Sequence, residues 1–319
     1  MIGPPGGSRT TEAQPLVSIV TPAFQSERFI EQTIESVLEQ DYPKLEYVVM
    51  DGGSTDGTLS ILRRFSNRLH FISAKDRGAA DAVNRGFQQC RGSIWGWINS
   101  DDVYCPGAIT KAVKQFCGLP DIDIVYGAGQ WIDEDGDRIG PYPTLIPFDP
   151  EALGRSCGIC QPAAFFRREA FEAVGGLNPS LHVAFDYDLW IRLSRERRFQ
   201  AIPELLAESR MHSGNKSLAR RRQVFAENIE VLRRNFGYVP PQWVYGYMTF
   251  LRDGRDQFFE PLRHSALNYL VSLPAGLAYN RERPLRYICE WAAQLKSADL
   301  KWRQAKGSDQ NRHDAERQK

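Results

Sequence analysis

The chain has 319 residues, enough for about two domains, and its 42% hydrophobic and 25% charged residues exclude disorder for the body of the chain. A net charge of +1 excludes a polyanion binder by overall charge, but the balance is uneven. Residues 1–219 hold 22 basic and 28 acidic side chains, and residues 220–319 hold 18 and 11, an acidic body with a basic appendage.

Residues 1–14 read as a flexible leader with no apolar run, and hence not as a secretory signal. No stretch reaches the ~18 apolar residues of a membrane span. Val17 to Thr21 reads as a buried strand, and Ser26 as the cap of a helix with Phe29, Ile30, Ile34 and Val37 on one face. Leu45 to Met50 is the next strand, stopping at Asp51 and the turn Gly52 to Gly57. Thr58 to Leu69 reads as a helix, His70 to Ser73 as a strand, and Ala79 to Cys90 as a helix. Strands at 94–98 and 122–126 bracket a helix at 107–116. Alternation of this kind predicts an α/β fold, a mostly parallel sheet flanked by helices. In such sheets ligands bind beyond the carboxyl ends of the strands. Thr21-Pro22, Asp51-Gly52-Gly53 and Asn99 to Asp102 all follow strands and should meet on one rim.

From about 129 the pattern turns more β-like, with a hairpin turn at Asp133 to Gly136. Helices follow at 168–174, 186–197 and 223–236. Residues 240–304 read as further helices broken at Pro261, Pro274 and Pro284, and the tail from 307 as disordered. Six scattered cysteines fit a reducing cytoplasm. Cys157 and Cys160 form a lone CxxC without a second pair, best read as ordinary thiols. Gly52-Gly53 to Gly57 is neither a dinucleotide fingerprint nor a P-loop. There is no nucleic-acid module signature.

Asp101-Asp102, two adjacent carboxylates at a strand end, suit a divalent cation that bridges to phosphates, or else a solvated acidic turn. Context narrows the choice. Ser18 to Phe24, Val48 to Thr58, Asp76-Arg77-Gly78 with Asp81 to Gly86, and Trp97 to Gly107 together resemble the nucleotide-sugar half of family-2 inverting glycosyltransferases. The likeness continues at Gln161 to Phe166 and Asp186 to Trp190, and fades after about Ser217.

The resemblance implies a GT-A type, Rossmann-like sheet with a C-terminal helical extension. It implies Thr21, Pro22, Phe24 and Glu27 around the nucleoside. Asp51 would accept from the base, Asp76 and Arg77 would lie near base and ribose, and Asp101 at ribose or metal. Asp102 would be the main ligand of Mn2+ or Mg2+, with His212 as a metal or phosphate contact. The family often has Asp where this chain has Asn99, so Asn99 receives no charge role. The family's Glu-Asp motif falls on Phe185-Asp186, leaving Asp186 as general base and Asp188 as its rival. On a helix the two diverge by about 200°, so they cannot serve one acceptor together. Gln161, Asp188 and Arg210 would face sugar or acceptor, and Arg210 could instead pair with phosphate or with Asp188.

The implied domains are a glycosyltransferase domain over 15–219, with its nucleotide-sugar half at 15–127 and its acceptor half at 128–219, and a helical extension over 220–306. The implied donor is a nucleoside-diphosphate sugar, with UDP favoured over GDP or dTDP. The acceptor is a hydroxyl on a growing polysaccharide or glycolipid, reached from the cytoplasm. The alternative is a non-catalytic nucleotide-sugar or glycan-binding protein, motivated by the missing acids at Asn99 and Phe185. For the basic third, with Arg220 to Arg222, Arg281, Arg283 and Arg286, the readings are solvated helix faces or peripheral attachment to an anionic membrane at its inner face.

Overall fold

A computed structural model describes residues 14–254 and 265–296. Most of the expected leader, the helices past 296, Pro261 and the tail lie outside the described residues. In chain order the elements are β1 (Val17–Ala23), α1 (Ile30–Leu38), β2 (Leu45–Asp51), α2 (Thr58–Arg64), β3 (His70–Ser73), α3 (Ala79–Phe87), β4 (Ile94–Trp97), β5 (Val103–Tyr104) and α4 (Ala108–Gly118). Then come β6 (Ile124–Ile132), β7 (Arg138–Pro141), α5 (Pro150–Leu153), β8 (Ala164–Arg167), α6 (Arg168–Ala173), α7 (Phe185–Ser194) and β9 (Phe199–Arg210). The last are α8 (Lys216–Ala219), α9 (Arg221–Phe236), α10 (Pro241–Asp253), α11 (Ala266–Tyr279) and a helical stretch over 284–296.

The chain divides into two units. The first holds residues 14–148, 159–179 and 196–210; the second holds 149–158, 180–195 and the described residues from 211 on. All nine strands belong to the first unit, in the order β3-β2-β1-β4-β8-β6-β9-β5, with β7 hairpinned onto β6. The expected parallel pairing is carried by β1 to β4, with Ala23 level with Asp51 and Val20 with Trp97. Beyond β4 the sheet is mixed, because β8 enters antiparallel to both β4 and β6 while β6 and β9 run parallel.

Strand alternation sorts the core to the two faces of this sheet. Val17, Ile19, Val49 and Ile94 join Ile34, Val37, Ile109 and Phe116 of α1 and α4. On the other face Phe87 of α3 stacks on Trp95, with centroids 4.5 Å apart, and meets Phe166 and Phe171 edge-on. A Cβ on Gly86 would lie 2.6 Å from Val20, so its absence lets α3 sit close on β1.

Two local expectations are corrected. Ser26 does not cap α1. Its hydroxyl accepts from Phe24 N at 3.2 Å and pairs with Ser100 Oγ at 2.7 Å, a cross-loop bond that competes with capping. Pro274 does not break a helix but sits inside α11. It is exposed there, and the helix is held by its neighbours: Tyr269, Ser272 and Gly276 are buried.

The second unit interlocks through small and polar groups. The ring of Tyr287 occupies the space where Gly276 lacks a side chain, and Trp291 Nε1 donates to Ser272 Oγ at 3.1 Å. Asn280 bonds the backbone of Val239 in both directions, at 2.7 and 3.0 Å. Consequently α11 turns Asn268, Ser272 and Gly276 inward and leaves Leu267, Leu270 and Val271 exposed.

Candidate functional site

The loops after β1, β2 and β4 meet at the carboxyl edge of the parallel strands. Gln25, at φ +52° a backbone state rare outside glycine, clasps the first two together. Its N–H donates to Ser54 Oγ at 2.8 Å, and its Oε1 accepts from Thr55 N at 2.8 Å. Glu27 accepts from Gly57 N at 2.6 Å, and the Ser26–Ser100 hydroxyl pair ties in the loop after β4. The sequence reading missed Gln25, since nothing in its residue type announces a clasp.

The expected nucleoside residues divide. Phe24 is 64% exposed, and Gly52 lies between its ring and Asp76: a Cβ there would be 3.3 Å from Phe24 Cδ2 and 2.8 Å from Asp76 Oδ2. Asp76 Oδ1 accepts from Gly78 N at 2.8 Å, and exposed Arg77 pairs with Asp81 at 2.8 Å. Thr21 and Pro22, by contrast, are buried in β1, with the Thr21 hydroxyl 3.0 Å from Tyr47 Oη, so their side chains do not form the open wall. Asp51 is buried and turned onto its own loop, accepting from Gly53 N, Ser54 N and Ser73 Oγ. It shapes the turn rather than offering an open acceptor.

A polar chain runs behind the loop after β4. Gln161 Nε2 donates to Trp97 O at 2.7 Å, Asn99 Nδ2 bridges Gln161 Oε1 and Asp102 Oδ2 at 3.0 Å each, and Asp102 Oδ1 accepts from Arg210 N at 2.9 Å. Burial and the neighbouring charge of Asp101 hold the Asp102 carboxyl well above its ordinary pKa, against the pull of the Arg210, Asn99 and Ser209 donors. Asn99 therefore has a structural reason: an aspartate there would set a third carboxylate beside Asp101 and Asp102 and could not donate to either partner. Gln161 is buried in this chain rather than open to a sugar.

Two further expectations are revised. Asp102, 2% exposed and bonded through both oxygens, is enclosed; Asp101 is the half-buried member of the pair. Arg210 is 1% exposed and faces inward. Its guanidinium donates to the carbonyls of Asp101 and Asp133 at 2.9 Å and to Gln32 Oε1 at 2.5 Å, and lies 5.0 Å from the Phe29 ring. Asp188 has other partners, Arg192 at 2.8 Å and Asn235 at 3.3 Å.

Asp186, Asp188 and His212 belong to the second unit. Asp188 is buried and committed to that ion pair. Asp186 is the second residue of α7 and accepts from Tyr187 N at 2.7 Å. Burial of its carboxyl pushes the pKa up to about 6, with a smaller push from the charge of Glu227. Asp188 is held by Arg192 and Asn235, whereas Asp186 meets only backbone N–H groups. His212 is half-buried just after β9, where its carbonyl accepts from Asn215 N.

A parallel block with a clasped rim, a strand-end carboxylate pair and a mixed second half defines a search image. Residues 18–175 match the family model described as glycosyl transferase family 2. This chain belongs to glycosyltransferase family 2. Among its curated relatives, the chondroitin synthase of Escherichia coli is 33% identical over 214 residues, which are 66% of this chain and 31% of that protein. The hyaluronan synthase of Pasteurella multocida is 28% identical over 207 residues, 64% of this chain and 21% of that one. The chain thus spans a third or less of the length of these two relatives. In fold, the glycosyltransferase chain is similar to Staphylococcus aureus TarS 1–349 in complex with UDP, with a TM-score of 0.57, 16% identity, and 84% and 82% of the two chains covered. It is also similar to the mannosyltransferase PcManGT of Pyrobaculum calidifontis in complex with GDP-Man and Mn2+, with a TM-score of 0.52, 21% identity, and 91% and 81% covered. The fold is of the GT-A type.

The residues of the glycosyltransferase rim fit a divalent cation. Magnesium-like ions use one or two carboxylates with substrate phosphates supplying the rest. At this strand end half-buried Asp101 would supply such a carboxylate, with enclosed Asp102 behind it. The buried member is under charge repulsion from its neighbour, which a cation would relieve. Among the described residues no cluster of three or more His, Cys, Asp or Glu side chains forms a self-sufficient metal cage.

Proposed function

We propose that this chain is an inverting glycosyltransferase that moves one sugar from a nucleoside-diphosphate sugar to a hydroxyl acceptor, with Asp186 as general base. The observation that carries the reading is the clasped rim, where Phe24, Gly52 and Asp76 approach one another at the same sheet edge as Asp101. Phe24, Asp76 and Arg77 are the nucleoside contacts, with Glu27, Asp51 and Gln25 holding their loops. Asp101 is the principal cation contact, Asp102 its buried support, and His212 a further contact to cation or phosphate. A bound Mn2+ or Mg2+ would neutralise charge on the departing diphosphate.

Asp186 takes the acceptor proton as the hydroxyl oxygen bonds to the anomeric carbon from the side opposite the diphosphate. The bond from that carbon to the phosphate oxygen breaks, and its electron pair leaves with the diphosphate. A base of pKa about 6 is deprotonated at neutral pH yet stronger than an ordinary carboxylate, which suits this step. A UDP sugar is the preferred donor, with GDP or dTDP sugars behind it, and the acceptor is a growing polysaccharide or glycolipid. The fold neighbours in complex with UDP and with GDP-Man support a nucleotide-sugar donor. The test is a panel of UDP, GDP and dTDP sugars with Mn2+ or Mg2+ and glycan acceptors. Metal-dependent transfer lost in Asp186→Asn supports the proposal; donor binding without turnover on any acceptor favours the non-catalytic binding protein.

A peripheral seat on the inner, anionic face of a membrane is supported by the second unit. No helix among the described residues is long and apolar enough to cross a membrane. Yet Leu267, Leu270, Leu285 and Ile288 are exposed, Leu270 and Leu285 by 63% and 77%, and Arg281 and Arg283, close to Leu285 in the chain, are exposed too. Apolar side chains beside exposed arginines suit an anionic interface. Flotation of the full chain with anionic vesicles should fall at least several-fold when Leu270 and Leu285 are both changed to Asp; equal recovery removes the idea.

A further inference from the structure

Glu227 lies in the middle of α9, where a charged residue ordinarily faces solvent. It is instead 8% exposed. Its carboxylate accepts from three consecutive backbone N–H groups, those of His182, Val183 and Ala184, at 2.9 to 3.1 Å, and from Gln223 Nε2 at 2.8 Å. Three successive amides turned onto one anion form a backbone nest. Here the nest is the approach to α7, Ala184 is that helix's N-cap, and Asp186 follows two residues later. An intramolecular carboxylate thus fills the anion site at the start of the helix that carries the proposed base.

We infer that Glu227 is a positioning residue for Asp186, fixing where the base carboxylate stands and keeping a negative charge beside it. The inference rests on the proposed role of Asp186 as base. Its physical content has two parts. The three N–H bonds fix the backbone entering α7, so the Asp186 rotamer starts from a set origin. The adjacent charge disfavours a second negative charge at Asp186, in the same direction as the burial of its carboxyl.

Two other acidic groups near α7 are paired. Asp188 pairs with Arg192 on α7 itself, and Glu230 pairs with Arg234 on α9. Glu151 on α5, His182 on the approach to α7, and Arg221, Arg222 and Arg233 on α9 complete the titratable set on these elements. Of all these, the charge of Glu227 is the one that acts on Asp186.

The experiment uses the full chain and two variants, Glu227→Gln and Glu227→Ala. The glutamine keeps the size and one acceptor oxygen but removes the charge. Carboxyl-carbon NMR titration should show one midpoint near 6 that disappears in Asp186→Asn, and that midpoint should move toward the ordinary carboxylate range in Glu227→Gln. With UDP-GlcNAc or GDP-Man as donor probe, whichever is turned over, Glu227→Gln should lower kcat about tenfold with donor KM unchanged. Glu227→Ala should lower it further. An unchanged midpoint together with unchanged kcat in Glu227→Gln overturns the inference, even if Glu227→Ala fails to fold. Should Asp186→Asn retain full transfer while the midpoint still moves, the base assignment fails and the Glu227 coupling stands.

Discussion

Asp102 in the first unit and Asp186 in the second are both carboxylates raised by burial, yet their neighbourhoods treat them differently. Asp102 is met by a backbone N–H, an amide and a hydroxyl that engage both oxygens, and its own backbone carbonyl is held by Thr33 Oγ1 at 2.8 Å. Asp186 accepts from Tyr187 N at 2.7 Å and from the N–H of its own residue, with no side-chain donor beside them. Donors on both oxygens fix the Asp102 carboxyl in place as a scaffold. A carboxyl held only by backbone N–H groups, as at Asp186, is the better placed of the two for the proposed proton transfer. If Asp186 is the base, burial alone does not distinguish it from Asp102; the donors around each carboxyl do.

The comparison breaks most readily at Asp186. Asp186→Asn should cut transfer about a thousandfold with donor binding by calorimetry intact. The wild-type rate should fall as pH drops through about 6, because the base must be deprotonated to act. The same substitution should raise the melting temperature above that pH. A carboxyl whose folded pKa is raised stabilises the fold below its unfolded value, and that contribution is lost as pH rises through the folded one. The gain should therefore vanish toward pH 4, which scanning calorimetry at several pH values would detect.

On the scaffold side, chelation of the cation should reduce turnover about a hundredfold, restored by Mn2+ or Mg2+, and Asp101→Asn should be more sensitive to cation concentration than wild type. Gly52→Ala should weaken donor binding about tenfold, near 1.4 kcal/mol, since the new methyl would press on Asp76 and Phe24; isothermal titration reads it. The mildest effect is expected for Asn99→Asp. Loss of two amide donations beside an existing carboxylate pair should cost about 1–3 kcal/mol of stability, measured by urea denaturation at pH 7.5.

The parallel block was legible because its strands are largely apolar runs, two of which stop at Asp51 and Asn99. His70–Ser73 emerges with the bounds the sequence reading gave it. The second half of the sheet was harder. Phe199–Arg210 carries Pro203, Glu204 and Glu208 and reads as polar, yet it forms the long β9 because β6 supplies a parallel partner with register shifts. The candidate site residues split along the same line. Phe24, Asp76 and Asp186 were proposed from the motifs that carry the family resemblance. The inward fate of Arg210 could not, since its partners at Gln32, Asp101 and Asp133 are brought to it only by the fold. Glu227 was invisible for a related reason: a mid-helix glutamate looks like solvated surface until three amides 43 to 45 positions away turn toward it.

The notch at Gly276 filled by Tyr287, together with the two-way link between Asn280 and Val239, carries a practical consequence. Segments that complete one another's interior open as a single cooperative block. Amide protection across 239–254 and 265–291 should therefore be lost in one step, and replacing Tyr287 by Ala should loosen the whole block rather than one helix of it.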